Sequence, residues 1–407
     1  MKYADFYLVT ADNHNRFYRM RLDGNVITVE SGREGATPLK QRYPARIWNT
    51  LYGKCIADGY IDRATIGSSI KKREKYAPIG DALVRDFFEH IKQCVKRSLK
   101  ETYTVEQESV TAQHITAAQE ILDDIAAHLD DMEYVNDGLL KLFVVIPRKM
   151  KDVGELLADS VDKERERSTF NVVKREQDNL DRLKAVKNAD AAKAARVEDD
   201  RETELEALGL DIRPCTETEV ENIKKHLGEE SAKFFCQAFR VRNKMTEKRA
   251  DAYNKAHRLK KSDIHFYYHG SGNENIYGLM TQGPKINPKN VVYTGSLFGK
   301  GCYMAPRAKK SIGYTSLSGS FWKGGRADRA YLMVYKVAYK NALHLTGDPK
   351  CGSGSRNFTA QSIKPHDAVY AHKGYLMGAG NPLRNDEAIV YNEAQLDLQY
   401  VIVLKAA

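Results

Sequence analysis

The chain has 407 residues, 42% of them hydrophobic and 29% charged, with a formal net charge of +10 and a pI near 9.0. That length exceeds one ordinary core and suits two or three domains, while the absence of any run of about 18 apolar residues argues against a membrane span. Six cysteines, Cys55, Cys94, Cys215, Cys236, Cys302 and Cys351, stand singly, which excludes a disulfide framework or a zinc finger built on paired spacing.

Residues 17–22 and 26–29 are β-like runs separated by Asp23-Gly24-Asn25, which predicts a hairpin. Ile47, Trp48, Leu51 and Tyr52 recur at helical spacing, and that helix should stop near Gly59. Residues 1–77 hold 14 Lys and Arg against 8 Asp and Glu, a surplus that ends in the cluster Lys71-Lys72-Arg73-Glu74-Lys75. A solvated linker and a nucleic-acid contact or nuclear-import patch stand as equal readings of that cluster.

The period changes after residue 80. Leu83, Val84, Phe87, Phe88, Ile91 and Val95 form one helical stripe, and Ile115, Ala118, Ile121, Leu122, Ile125 and Leu129 another. A third apolar run, Leu139–Ile146, is broken by Pro147. Residues 160–205, rich in Lys, Arg, Glu, Asp and Ala, predict an exposed helix or helical linker, with an inter-domain boundary near Ala191. Strands return beyond residue 205: 264–268, 331–337, 388–391 and 396–404 are β-branched or aromatic runs bounded by turn residues. No repeat of 20 to 50 residues is evident.

Three short segments carry chemistry through their order. His269-Gly270-Ser271 is followed by Phe298-Gly299-Lys300-Gly301-Cys302-Tyr303 and, far downstream, by Asn385-Asp386-Glu387. The stretch from Thr281-Gln282-Gly283 to Gly301-Cys302-Tyr303, followed by Lys310-Ser311 and Tyr314, resembles the donor-site segment of the poly(ADP-ribose) polymerase family, of the short DNA-dependent kind without zinc fingers. The similarity extends over essentially the whole chain. Residues 115–125 and 139–147 resemble the family's helical regulatory domain, and residues 14–60 resemble a WGR domain in which Ser31-Gly32-Arg33 replaces Trp-Gly-Arg.

The resemblance implies an α+β protein in three parts. Residues 1–77 would be a WGR-like small β-sheet plus helix that binds nucleic acid, residues 78–200 an α-helical bundle, and residues 201–407 a mostly antiparallel β ADP-ribosyltransferase fold. It implies NAD+ as substrate, with no metal, and cleavage of the nicotinamide–ribose bond through an oxocarbenium-like centre. Glu387 would hold the ribose hydroxyl, stabilise the positive charge and align the acceptor. His269 would orient the adenosine ribose. Gly270 and Ser311 would bind the carboxamide, and Tyr303 and Tyr314 would sandwich the nicotinamide ring. Ser271 and Asn275 are implied neighbours of the adenosine, and Lys285 a contact in the loop over the donor, where the family often carries Arg. Ser296 replaces a common aromatic. Arg33, Lys40, Arg42 and Arg46 are the phosphate contacts expected on DNA strand breaks or ends.

Acceptors would be proteins, including the chain itself. A monomer without membrane attachment is expected, inside the cell: nuclear in a eukaryote, in the cytoplasm or nucleoid of a bacterium. Alternatives are a single-unit ADP-ribosyltransferase not switched by DNA, a non-catalytic DNA-end adaptor, and a transferase of the RNA 2′-phosphate-removing type. A Glu at 387, where single-unit enzymes commonly carry an apolar residue, favours polymer formation, and the helical stretch has no place in the smaller RNA-processing fold.

Overall fold

A computed structural model of the chain describes residues 2–11, 14–63, 76–105, 109–160, 167–194, 201–286, 297–299, 301–321, 323–354, 356–377 and 381–406. The basic cluster 71–75, Ser296, Lys300 and most of the loop expected over the donor lie outside the described residues.

Five N-terminal strands, β1 (Lys2–Thr10), β2 (His14–Asp23), β3 (Val26–Arg33), β4 (Leu39–Pro44) and β5 (Ile61–Asp62), form an antiparallel sheet in the order β4-β3-β2-β1-β5, with helix α1 (Trp48–Ala57) between the last two. The predicted hairpin is β2–β3, closed where Asp23 pairs with Val26. Alternation decides which face is buried. Ala4, Phe6, Met20, Ile27 and Val29 pack with Trp48 and Cys55 of α1 into one apolar core. Arg19 gathers Asp5 at 3.2 Å, Glu34 at 3.3 Å and the Tyr7 hydroxyl, so the partly buried guanidinium meets two carboxylates within the sheet.

Four longer helices follow: α2 (Ala82–Thr102), α3 (Ala112–Ile125), α4 (Met132–Val145) and α5 (Thr169–Ala194). The α2 stripe is buried at Val84, Phe87, Phe88, Ile91 and Val95, but Leu83 is 51% exposed, because it stands in the first turn beside the stripe. On α3 the buried positions are Ala118, Leu122 and Ile125, and Leu129 lies beyond the helix end. Its N-terminus is capped reciprocally: the Thr111 hydroxyl accepts from His114 N at 3.2 Å, and Thr111 N donates to His114 Nδ1 at 3.0 Å. Burial, aided by the Arg63 charge, pushes the His114 imidazole down to about 4. Helix α4 stops at Val145, two residues before Pro147.

Helix α5 corrects the expectation of an exposed segment. Val172, Val173, Leu180 and Leu183 are buried, and so are Glu176, Gln177, Asn179, Lys187 and Lys193. Composition misleads here because the buried charges have partners: Glu176 meets Arg148 at 2.9 Å, and Lys193 meets Asp190 and Glu204, each at 2.9 Å. None of these helices is long and apolar enough to cross a membrane among the described residues.

The remainder is α6 (Glu204–Ala207), β6 (Leu210–Pro214), α7 (Glu217–Leu227), α8 (Glu229–Ala232), β7 (Phe235–Asn243), α9 (Lys244–Ala256), β8 (Ile264–Gly270), α10 (Asn273–Gln282), β9 (Cys302–Met304), α11 (Ala308–Ile312), β10 (Arg329–Ala338), β11 (Ala342–Leu345), β12 (Ala368–Ala371), β13 (Glu387–Val390) and β14 (Leu396–Lys405). The strands make two sheets, β6-β7-β14-β10-β8 and β11-β12-β13-β9, antiparallel throughout except for the parallel pair β11–β12. All four long C-terminal runs read from the sequence are strands, and β10 and β14 are buried almost along their length. Asn243 joins strand to helices: its Oδ1 caps α9 while its Nδ2 donates to the Met280 and Thr281 carbonyls of α10 at 2.8 and 2.9 Å.

The described residues fall into two compact units, one of 2–63 with 97–187, the other of 76–96 with 188–286 and 297–406. Helices α2 and α5 each contribute residues to both units.

Candidate active site

The two C-terminal sheets meet at one bridge. Tyr268 N donates to the Ala305 carbonyl at 2.8 Å and Ala305 N returns a bond to the Tyr268 carbonyl at 2.9 Å. That bridge sets His269, one residue on, beside β9, where its Nδ1–H donates to the Tyr303 carbonyl at 3.1 Å. A carbonyl can only accept, so the tautomer is settled and Nε2 carries a lone pair. Burial lowers the His269 pKa, against the opposing pull of the Tyr303 bond, and the ring stays neutral at pH 7.

Gly270 packs against the first turn of the chain after β9. A Cβ built on it would stand 1.8 Å from the Ser311 carbonyl oxygen, so only glycine fits. Ser311 is buried on α11, and its hydroxyl donates to the Tyr268 carbonyl at 3.0 Å, which leaves its oxygen lone pairs for a donor. Three residues on, Tyr314 is 43% exposed.

Tyr303 is held by its own loop. Its hydroxyl accepts from Phe298 N and donates to the Gly299 carbonyl, both at 2.9 Å. Gly299 has φ +82°, and a Cβ there would meet Phe358 backbone atoms at 2.0 Å. Phe298 is fully buried, and the Tyr391 hydroxyl donates to its carbonyl. The order Phe298-Gly299 before Tyr303 thus has a local cause: one buried anchor, one left-handed turn and one phenol that closes it.

Glu387 opens β13. Strand β13 lies between β12 and β9, with Ala371 opposite Glu387 and Tyr303 opposite Ile389, two residues further along the same face. The Glu387 side chain is 9% exposed and forms an ion pair with Lys310 of α11, itself 12% exposed. Burial pushes the Lys310 ammonium down to about 7 and the Asp386 charge pulls it up. Lys310 has no role in the sequence reading, and its only signal there is adjacency to Ser311.

His269, Gly270, Tyr303, Ser311 and Glu387 therefore converge through β8, β9, α11 and β13. Ser271 and Asn275 sit together at the start of α10, joined by a 2.9 Å bond from Asn275 Nδ2 to Ser271 Oγ. Lys285 pairs instead with Glu393 at 3.2 Å, a carboxylate that also takes Arg249 at 3.0 Å and the backbone N–H of Ile286 at 2.9 Å. The sequence reading passed over Glu393 because nothing local marks it as an anchor for the segment before the donor loop.

The four basic residues proposed for nucleic acid are exposed but not all together. Lys40 and Arg42 alternate on β4 opposite Glu30 and Thr28, and Lys40 pairs with Glu30 at 2.8 Å. Arg46 follows in a short turn, while Arg33 ends β3 and donates to the Lys151 carbonyl.

Residues 217–406 match the family model of the poly(ADP-ribose) polymerase catalytic domain. The chain is 26% identical over 185 residues to "Uncharacterized protein 101L" of Invertebrate iridescent virus 6, covering 44% of this chain and 76% of that protein. It is 27% identical over 136 residues to "Putative poly [ADP-ribose] polymerase-like 100L" of the same virus, covering 33% of this chain and 67% of that one. To "Poly [ADP-ribose] polymerase 1" of Gallus gallus it is 32% identical over 154 residues, covering 34% of this chain but only 14% of the chicken protein. Residues 217–406 are accordingly similar to the poly(ADP-ribose) polymerase catalytic domain, and this similarity supports an NAD+ ADP-ribosyltransferase activity.

Proposed function

We propose that the chain transfers ADP-ribose from NAD+ to protein acceptors and to the growing polymer, and that broken DNA activates it. The bond between nicotinamide nitrogen and ribose C1′ breaks, its electron pair leaving with nicotinamide. A bond from the acceptor nucleophile to C1′ forms, and the acceptor's proton is lost. Positive charge on the ribose in between needs a fixed anion, and Glu387 supplies it, oriented by its ion pair with Lys310. His269 offers its Nε2 lone pair to a ribose hydroxyl, Gly270 and Ser311 offer backbone and hydroxyl partners to the carboxamide, and Tyr303 and Tyr314 offer ring faces. Ser271 and Asn275 belong to the adenosine side.

The observation that carries this reading is the ladder that sets Glu387 and Tyr303 on neighbouring strands with His269 bonded to the Tyr303 backbone. DNA activation is supported by exposed Lys40, Arg42 and Arg46 on a chain of net charge +10. DNA binding would then shift the enzyme toward an active population. Acceptors would include the chain itself, acting as a monomer in the nucleus or, in a bacterium, the cytoplasm or nucleoid.

Labelled NAD+ incubated with the pure chain, with and without nicked or blunt duplex, tests each part. A ladder that grows with broken DNA is expected. One shifted band would favour single-unit transfer, and turnover indifferent to DNA at low and moderate salt would overturn the switch. No turnover at all would leave a DNA-end adaptor.

A further inference from the structure

A cavity of about 760 Å³ opens on the C-terminal unit, lined by residues other than His269, Gly270, Tyr303, Ser311 and Glu387. Its walls are the end of α9, the link from β10 to β11, the segment leading into β12, and the turn after β13. The floor is largely apolar. Ile363 and Tyr391 are buried there, and buried Gln395 is fixed by bonds from its Nε2 to the Ala338 and Asp367 carbonyls at 3.0 and 2.9 Å.

The polar lining is unequal in sign. Asp367 is its carboxylate, and both of its oxygens already accept backbone N–H groups, from Lys340 and Asn341, each at 2.9 Å. The ammonium groups of Lys340 and Lys364 meet no carboxylate among the described residues. At one side stand Tyr253 and His257, whose rings stack with centroids 4.1 Å apart. The volume is that of a pocket for a small organic ligand. Lys340 and Lys364, both exposed, favour an anion at the cavity edge, and the stacked aromatic pair favours a flat ring.

We infer that this cavity binds a nucleoside phosphate, its base on the Tyr253–His257 platform and its phosphates between Lys340 and Lys364. The site shares no residue with the donor site, so the enzyme holds a second nucleotide-binding surface.

Equilibrium dialysis of labelled ADP against the full chain tests this. Binding by wild type is expected to persist in His269→Ala, which removes the donor-site contact, and to weaken by about tenfold or more in Lys340→Gln/Lys364→Gln. Tyr253→Ala should weaken ADP by about tenfold while leaving competition by inorganic pyrophosphate unchanged. Should Tyr253→Ala unfold, Tyr253→Leu keeps the apolar packing and gives the same readout. Unchanged ADP affinity in the double lysine variant, or loss of all ADP binding in His269→Ala, overturns the site. Equal loss of ADP and pyrophosphate in the Tyr253 variant overturns the nucleotide assignment.

Discussion

The N-terminal sheet and the pair of C-terminal sheets handle buried charge in opposite ways. In the first, Arg19 lies against Asp5, Glu34 and the Tyr7 hydroxyl, so every charged group inside the cluster is answered within it. In the second, Glu387 has one charged partner, His269 keeps an Nε2 without a partner among the described residues, and Ser311 donates once with lone pairs to offer. A closed network stabilises a sheet, whereas an open one is arranged for something the chain does not itself contain. That contrast separates structural charge from chemical charge better than burial does, since both clusters are largely buried.

The largest effect should come from the open network. Glu387→Gln keeps the size of the side chain and removes its charge, so NAD+ turnover should fall on the order of 10² to 10³-fold with little change in thermal midpoint. Full polymer yield from that variant would end the distinction. Gly270→Ala follows: its Cβ would collide with the Ser311 carbonyl, and a loss of about 1–3 kcal/mol in denaturant unfolding is expected together with weakened NAD+ binding.

The Thr111–His114 cap of α3 answers to pH. His114 is held near 4 when folded and titrates near 6.5 when unfolded, so the unfolded chain takes up its proton first as pH falls. Stability should be full above pH 6.5 and decline by up to about 3 kcal/mol toward pH 4, less the part that solvent screening removes. His114→Gln, a neutral cap that can accept from the Thr111 N–H, should flatten that part of the profile, and an unchanged slope would show the imidazole is not its source. The smallest effect is reserved for the solvated charges: Arg42→Glu should lower the slope of log affinity for duplex DNA against log salt by about 1, leaving DNA-free turnover as it was.

Much of this was legible in the chain because its causes are local. The hairpin at Asp23-Gly24-Asn25, the end of α4 ahead of Pro147, and strands β8, β10, β13 and β14 all follow from period and punctuation within a few residues. The exposed reading of α5 failed because hydrophilic composition says nothing about whether Glu176 or Lys193 will find a partner from another segment. Strands β9, β11 and β12 are short, and the sheet β11-β12-β13-β9 joins residues remote in sequence.

The residue types expected at the site, and their order along the chain, come from the sequence alone: His269, Tyr303 and Glu387 are named there as candidates. Tertiary structure decided which atoms remain available. It chose the His269 tautomer through the Tyr303 carbonyl, delivered Lys310 to Glu387, and drew Lys285 to Glu393. The reason is that hydrogen bonds and ion pairs depend on distances of a few ångströms between segments far apart in the chain, and no local pattern encodes those distances.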